Sequence, residues 1–378
     1  MSKVILGISL FAAIFLSIFS CAQANPHGNI VYVGTYTDHG SKGIYAYRFN
    51  PVTGKFSSLG LAAETPSPSF LAISPDHKFL YAANEVSSFN GQPTGGVSAY
   101  AIHAAGKLTL LNQVSSKSPG PAFVTLDRSG KNILVANYTL GNVAVFPVKS
   151  DGQVGEATAF VQHHGSGINK DRQQGPHAHM VQMSPDNRFA LVADLGIDQI
   201  LIYPFDARKG TLGEGHAVKI TAGSGPRHLI FDASGKFLYL INELSSTINV
   251  FSYSANDGSL AELQTISSFP KGFAGKSTAA EISFHPSGKF LYASNRGDDS
   301  IAVFAINKMK GTLTFLQNVS TQGKTPRHFT FDPSGKWLLV ANQDSDNIVI
   351  FRVDPQTGRL NPSGQSATLS SPVCIKFP

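Results

Sequence analysis

Cysteine is nearly absent from this chain: there are two in 378 residues, Cys21 just behind an N-terminal apolar run and Cys374 near the end. A disulfide-stapled scaffold is excluded, because such folds need several bridges in place of a core. Charge is scarce as well, at 14% of residues, against 42% hydrophobic. Disordered chains show the opposite balance, so this is a folded globular protein. Ala, Leu, Glu and Lys fall short of what a helical bundle needs. The excess of 30 Lys and Arg over 24 Asp and Glu is mild and contains no basic run. Nucleic acid, which requires a basic track along its backbone, is not an expected partner. Also missing are a Gly-x-Ser-x-Gly elbow, a complete phosphate-binding loop and a dinucleotide fingerprint. Their absence argues against a serine hydrolase, a nucleotidase and a dehydrogenase.

Long hydrophobic runs are missing too, except the 17 residues from Val4 to Ser20, which follow Lys3 and precede Cys-Ala-Gln-Ala. A basic start, an apolar middle and an Ala-x-Ala end make a secretory signal cleaved after Ala24, rather than a membrane span. The alternative is a lipoprotein anchored through Cys21, although the bulky Phe19 stands where small residues are wanted. Either way the protein is expected to be exported, periplasmic or secreted. The remaining 25–378 is read as one domain, monomeric, with Cys374 unable to pair internally.

What the chain has in quantity is turns, with 36 Gly and 21 Pro, and one pattern that recurs. SPDHKFLYAAN, DRSGKNILVAN, SPDNRFALVAD, DASGKFLYLIN, HPSGKFLYASN and DPSGKWLLVAN end at Asn84, Asn137, Asp194, Asn242, Asn295 and Asn342, at intervals of 47 to 57 residues. A period near 50 indicates propeller blades or a solenoid. Four short strands fit into each period, as in HLIFD, FLYLIN, TINVFSY and LAELQTI within 228–266, and four strands make a propeller blade. The termini supply the rest: IVYVGT at 30–35 matches a second strand, 43–49 a third, 56–62 a fourth, and 372–377 a first. The expected fold is therefore an all-β, seven-bladed propeller, four antiparallel strands per blade, with its last blade closed by the N- and C-terminal strands. Such closure removes an open sheet edge without disulfides.

In a blade the loop entering the first strand and the loop leaving the second share one face. At the entry, aligned positions read Ser69, Ala122, His179, Arg227, Ala280, Arg327 and Val373, followed by Phe70, Phe123, Met180, His228, Glu281, His328 and Cys374. After the Asn slot they read Tyr36, Glu85, Tyr138, Leu195, Glu243, Arg296 and Gln343. A scaffold constraint repeats one residue, as the Asn slot does; a site for one asymmetric ligand makes blades differ. The variable residues His179, Arg227, Glu243, Arg296, Arg327 and His328 come from blades three to six and should converge at one side of the channel mouth. Arginines bind carboxylate or phosphate and hold a developing oxyanion, while His and Glu move protons. His228, Glu281, Arg327 and His328 are expected to bind substrate, Arg327 and His328 ranking lower because their setting duplicates that of Arg227 and His228. Glu281 reads equally as a buried hydrogen-bonded carboxylate or a site acid, and Glu85 as a rim residue. His177 and His179 with His163 and His164 lack Asp or Cys at ligand spacing, so neither metal nor other cofactor is expected. The polar loop from Gly165 to Gln174 is a candidate flap.

VGTYT at 33–37, PHAH-MVQMSPD at 176–186, GPRH-LIFD at 225–232, INE at 241–243 and SNRGDDSIAVF at 294–304 together resemble the seven-bladed propeller lactonases. That family includes bacterial 6-phosphogluconolactonases of propeller type and fungal carboxy-cis,cis-muconate cyclases. The resemblance implies catalytic roles for His179, Arg227, Glu243 and Arg296, and a small anionic lactone or carboxylate as ligand. The arginines would hold the anionic substituent and carbonyl oxygen, and His179 or Glu243 would activate water. Lactonising cycloisomerisation is the alternative reaction. Strings such as LLVANQDSDNIVIF also resemble YVTN surface repeats, which need not be enzymes.

Overall fold

The repeated turns explain the strands that follow them. In a computed structural model, which describes residues 29–270 and 272–378, Asp127 and Asp232 accept hydrogen bonds from the backbone N–H groups two to five residues ahead. Gly130, Gly235 and Gly335 stand in these turns at φ near +70°, where glycine meets no steric penalty. The turned chain then enters runs of aromatic and β-branched residues that favour a pleated, buried surface, such as Phe237–Asn242 and Trp337–Asn342. The proposed export signal and Cys21 lie outside the described residues.

Seven sheets form the ring, and in each the innermost strand pairs antiparallel with its second strand. The fourth blade is typical: Pro226–Phe231, Phe237–Asn242, Thr247–Tyr253 and Leu260–Ser267 follow from channel to rim. Blade three departs, its outer strand being split into Thr211–Leu212 and His216–Lys219. Pro372–Lys376 pairs with Ile30–Thr35, so the two ends of the described chain share the closing blade. Cys374 lies buried on that closing strand, and burial pushes its thiol up to about 11.

Middle strands are almost wholly buried and pack blade against blade through Leu, Ile, Val, Phe and Tyr. Tyrosines recur as polar clasps between blades: the hydroxyls of Tyr81 and Tyr239 donate to the carbonyls of Gly152 and Gly311. Most buried phenols find such a partner. Trp337 Nε1 donates to the Pro51 carbonyl and ties blade six to the closing blade. Among the described residues no helix is long and apolar enough to cross a membrane.

Candidate functional site

Each innermost strand begins with a β-bulge, and the extra residue falls in the variable entry slot. Pairing jumps from Pro68 to Phe70, Pro121 to Phe123, Ala178 to Met180, Pro226 to His228 and Pro326 to His328. In a regular strand, consecutive side chains face opposite ways; a bulge re-aims one of them. Consecutive residues therefore line one void at the head of the channel: Ser69 with Phe70, Arg227 with His228, Arg327 with His328. The exit residue is fixed beside them by a backbone bond, Glu243 N donating to the Gly225 carbonyl, two residues before Arg227. The buried Asn slot is structural, as Asn84, Asn137, Asn295 and Asn342 all donate to backbone carbonyls.

The structure brings all eight expected residues to this mouth, in two groups. In the first, Glu243 is the hub. Its Oε2 accepts from Arg227 Nε at 3.0 Å and lies 2.8 Å from Arg296 Nη2, while Oε1 accepts from Arg172 Nη2 at 2.6 Å. Arg227 Nη1 also donates to the Ala280 carbonyl and Arg296 Nη2 to that of Ala279, which leaves Arg296 Nε buried without a partner. Burial alone would raise the Glu243 carboxyl, but Arg296, Arg227 and Arg172 outweigh it and hold the group well below the usual carboxylate range. Arg227 is lowered as well, to about 9, by burial and by the Arg296 and Arg327 cations, with Glu243 opposing.

In the second group, Glu281 stands between two histidines. His228 Nδ1 is 3.1 Å from its Oε1, and His328 Nε2 is 3.4 Å from its Oε2. His328 Nδ1 accepts from the Ile375 N–H, so its proton sits on Nε2, facing the carboxylate. The rings of Phe70 and Phe123 pack edge-on against His228. His179 joins the two groups, its ring 5.1 Å from that of His228 and 5.5 Å from that of Tyr138. Burial lowers all three imidazoles, His228 to about 4 and His328 to about 3 against the pull of Glu281, and His179 well below its usual value with Arg227, Arg327 and Arg296 adding to the effect.

Those shifts make the fold acid-sensitive. The unfolded chain protonates these histidines below about pH 6.5, whereas the folded chain resists until far lower pH, so stability is full above 6.5 and falls as pH drops toward 4. The loss is about 1.4 kcal/mol per pH unit for each such histidine. Thermal melts should therefore decline steadily from pH 7 to 5, and a flat profile would show that the imidazoles are already protonated in the fold.

Several contributors carried no repeat signature. Arg172 comes from the loop between Gln162 and Ala178, and reaches both Glu243 and the Tyr138 hydroxyl. Gln173 beside it is buried and donates to the Leu195 carbonyl, anchoring the loop. Across the mouth, Tyr36 donates to Glu85 Oε2, and Arg327 lies over the Tyr36 ring with its Nη2 3.9 Å from Glu85. Glu85 is thus a partner of the site, not only of the rim. His163 is drawn off elsewhere, to Asp194 at 2.6 Å, where the pair replaces the amide of the Asn slot.

This combination of ring and mouth has relatives. A family model described as lactonase, 7-bladed beta-propeller matches residues 30–377. The chain belongs to that lactonase family. A 6-phosphogluconolactonase from Bacillus subtilis is 37% identical over 92% of this chain and 98% of its own length. Another from Formosa agariphila is 38% identical over 79% and 85%. Among solved structures, the periplasmic gluconolactonase of Pseudomonas aeruginosa superposes with a TM-score of 0.88, at 36% identity, covering 92% of this chain and 98% of that one. These relatives carry lactonase names, which favours an enzyme of lactone hydrolysis over the cyclase and surface-repeat alternatives.

Proposed function

We propose that this protein is an exported lactonase that opens an anionic sugar or carboxylated lactone by hydrolysis, without a metal. The observation that carries the reading is the arginine pair Arg227 and Arg296, held by Glu243 at a channel mouth that also gathers Arg327 and His179. Guanidinium groups fixed in a partly dry site favour the oxyanion that forms when water adds to a lactone carbonyl, because they need no reorganisation as its charge develops. Arg327, which makes no hydrogen bond among the described residues, is suited to a remote carboxylate or phosphate of the substrate. Glu243 keeps the arginines in place; with both oxygens engaged, it has little capacity to take a proton. Proton transfer then falls to the buried imidazoles, which stay neutral and able to accept near pH 7.

Export is supported by the N-terminal signal pattern and by the similarity to a periplasmic gluconolactonase. Outside the cytoplasm, an aldonolactone without phosphate is a natural test substrate. In a panel of aldonolactones, phosphorylated lactones and muconates, at least one lactone should be opened at equal rate with and without chelator. Inhibition by chelator would overturn the metal-free mechanism, and turnover of muconates alone would overturn hydrolysis.

A further inference from the structure

Four buried polar atoms of the residues lining the void have no hydrogen-bond partner: Ser69 Oγ, His179 Nδ1, His228 Nε2 and Glu281 Oε2. An orphaned buried polar atom costs roughly 1–3 kcal/mol, so four around one void mark a place shaped for a polar guest. The void has room for about one water molecule. It lies among the entry residues and beside the arginines, where the nucleophile of a lactone hydrolysis is required.

We infer that His228, oriented by Glu281, is the general base that takes the proton from the attacking water. This rests on the lactonase reading. The hydrogen bond from Nδ1–H to Glu281 Oε1 fixes the tautomer and leaves the Nε2 lone pair for the water. The Ile282 N–H also donates to Glu281 Oε1, which pins that oxygen toward His228, while His328 Nε2 lies 3.4 Å from Oε2. The water oxygen bonds to the carbonyl carbon as its proton passes to Nε2. Collapse of the tetrahedral intermediate breaks the ring C–O bond, and the imidazolium returns the proton to the leaving oxygen, giving the hydroxy acid.

His179 is the other imidazole at the void, and charge separates the two. An imidazolium formed at His228 faces the Glu281 carboxylate, whereas one at His179 faces Arg227, Arg327 and Arg296 with no carboxylate of its own. The groups bearing on His228 are Glu281 from blade five, His179 from blade three, Arg227 on its own strand, and Arg327 and His328 from blade six, while Lys376 on the closing strand bears on Glu281 and His328. Glu281 is a positioning residue in this scheme.

The test combines kinetics with ¹⁵N resonances of the full chain. His228→Ala should lower kcat by about 100-fold or more with little change in KM, and added imidazole should restore part of it. Glu281→Gln should lower kcat by about tenfold and move the acid limb of the pH profile to lower pH, since the carboxylate that supports protonation is gone. In the wild type, His228 should show a protonated Nδ1 and a bare Nε2 between pH 6 and 8, a reading that does not depend on any variant folding. A folded His228→Ala within a few fold of wild-type kcat, or a protonated Nε2, overturns the assignment. A wild-type chain with the expected tautomer that opens no lactone overturns the lactonase reading and, with it, this step.

Discussion

Truncation before Pro372 should abolish the folded protein rather than merely weaken it. The strand Pro372–Lys376 is the innermost of the closing blade and places Val373, Cys374 and Ile375 at 2% exposure or less. Their burial is worth roughly 1.5–3 kcal/mol for each large apolar side chain. Removing them also strips Tyr32, Val33 and Gly34 of their ladder partners, exposing a strand edge inside the ring. A chain whose net stability is of the order of 5–15 kcal/mol does not absorb both losses. Expression of residues 25–371 should yield aggregated or unfolded material by circular dichroism and size exclusion. A soluble, cooperatively melting product would mean that the other six blades hold the ring alone.

Glu243→Gln should give the largest loss of turnover among conservative changes at the mouth. The carboxylate is the shared counter-ion of Arg172, Arg227 and Arg296, and only Arg172 is substantially exposed, at 39% of its side chain. Replacing the charge by an amide of the same shape leaves two buried guanidinium groups facing each other, and breaking a buried pair commonly costs about 3–5 kcal/mol. The arginines would keep their charge but lose the alignment that the developing oxyanion needs, a loss worth about 10²–10³ in kcat. Turnover should fall by about 100-fold or more and the melting temperature should drop, while a small carboxylate binds as tightly as before or tighter, now that a negative neighbour is gone. Titration calorimetry and melting on one preparation would measure both. Loss of turnover with unchanged melting and unchanged anion binding would assign Glu243 to the chemistry itself instead of to the arginines.

Much of this protein was legible from its sequence because a propeller writes its fold as a period. Strand lengths, the Asn slot, the sharing of the last blade between the termini and the seven-blade count all follow from local turn chemistry repeated near every 50 residues. Even the list of mouth residues emerged, since an asymmetric ligand obliges blades to differ at the slots that face it, and His179, Arg227, Glu243 and Arg296 stand where the repeat breaks its own rule.

Partnership was a matter for the tertiary structure. The bulges bring Arg227 and His228 to the same void, although a regular strand would have turned one of them away; one extra residue in a ladder leaves no mark on composition or alternation. Arg172 belongs to a loop that repeats nowhere, and its landing on Glu243, 71 residues away in sequence, depends on Gln173 being buried under Leu195. Glu281 read equally well as structural or catalytic until its neighbours were in place, because His228 and His328 reach it from different blades across separations of 53 and 47 residues. Periodicity fixes which face of a blade a residue occupies. Which groups meet across the channel, and so which carboxylate holds arginines and which one orients a histidine, is decided by side chains that touch only when the ring has closed.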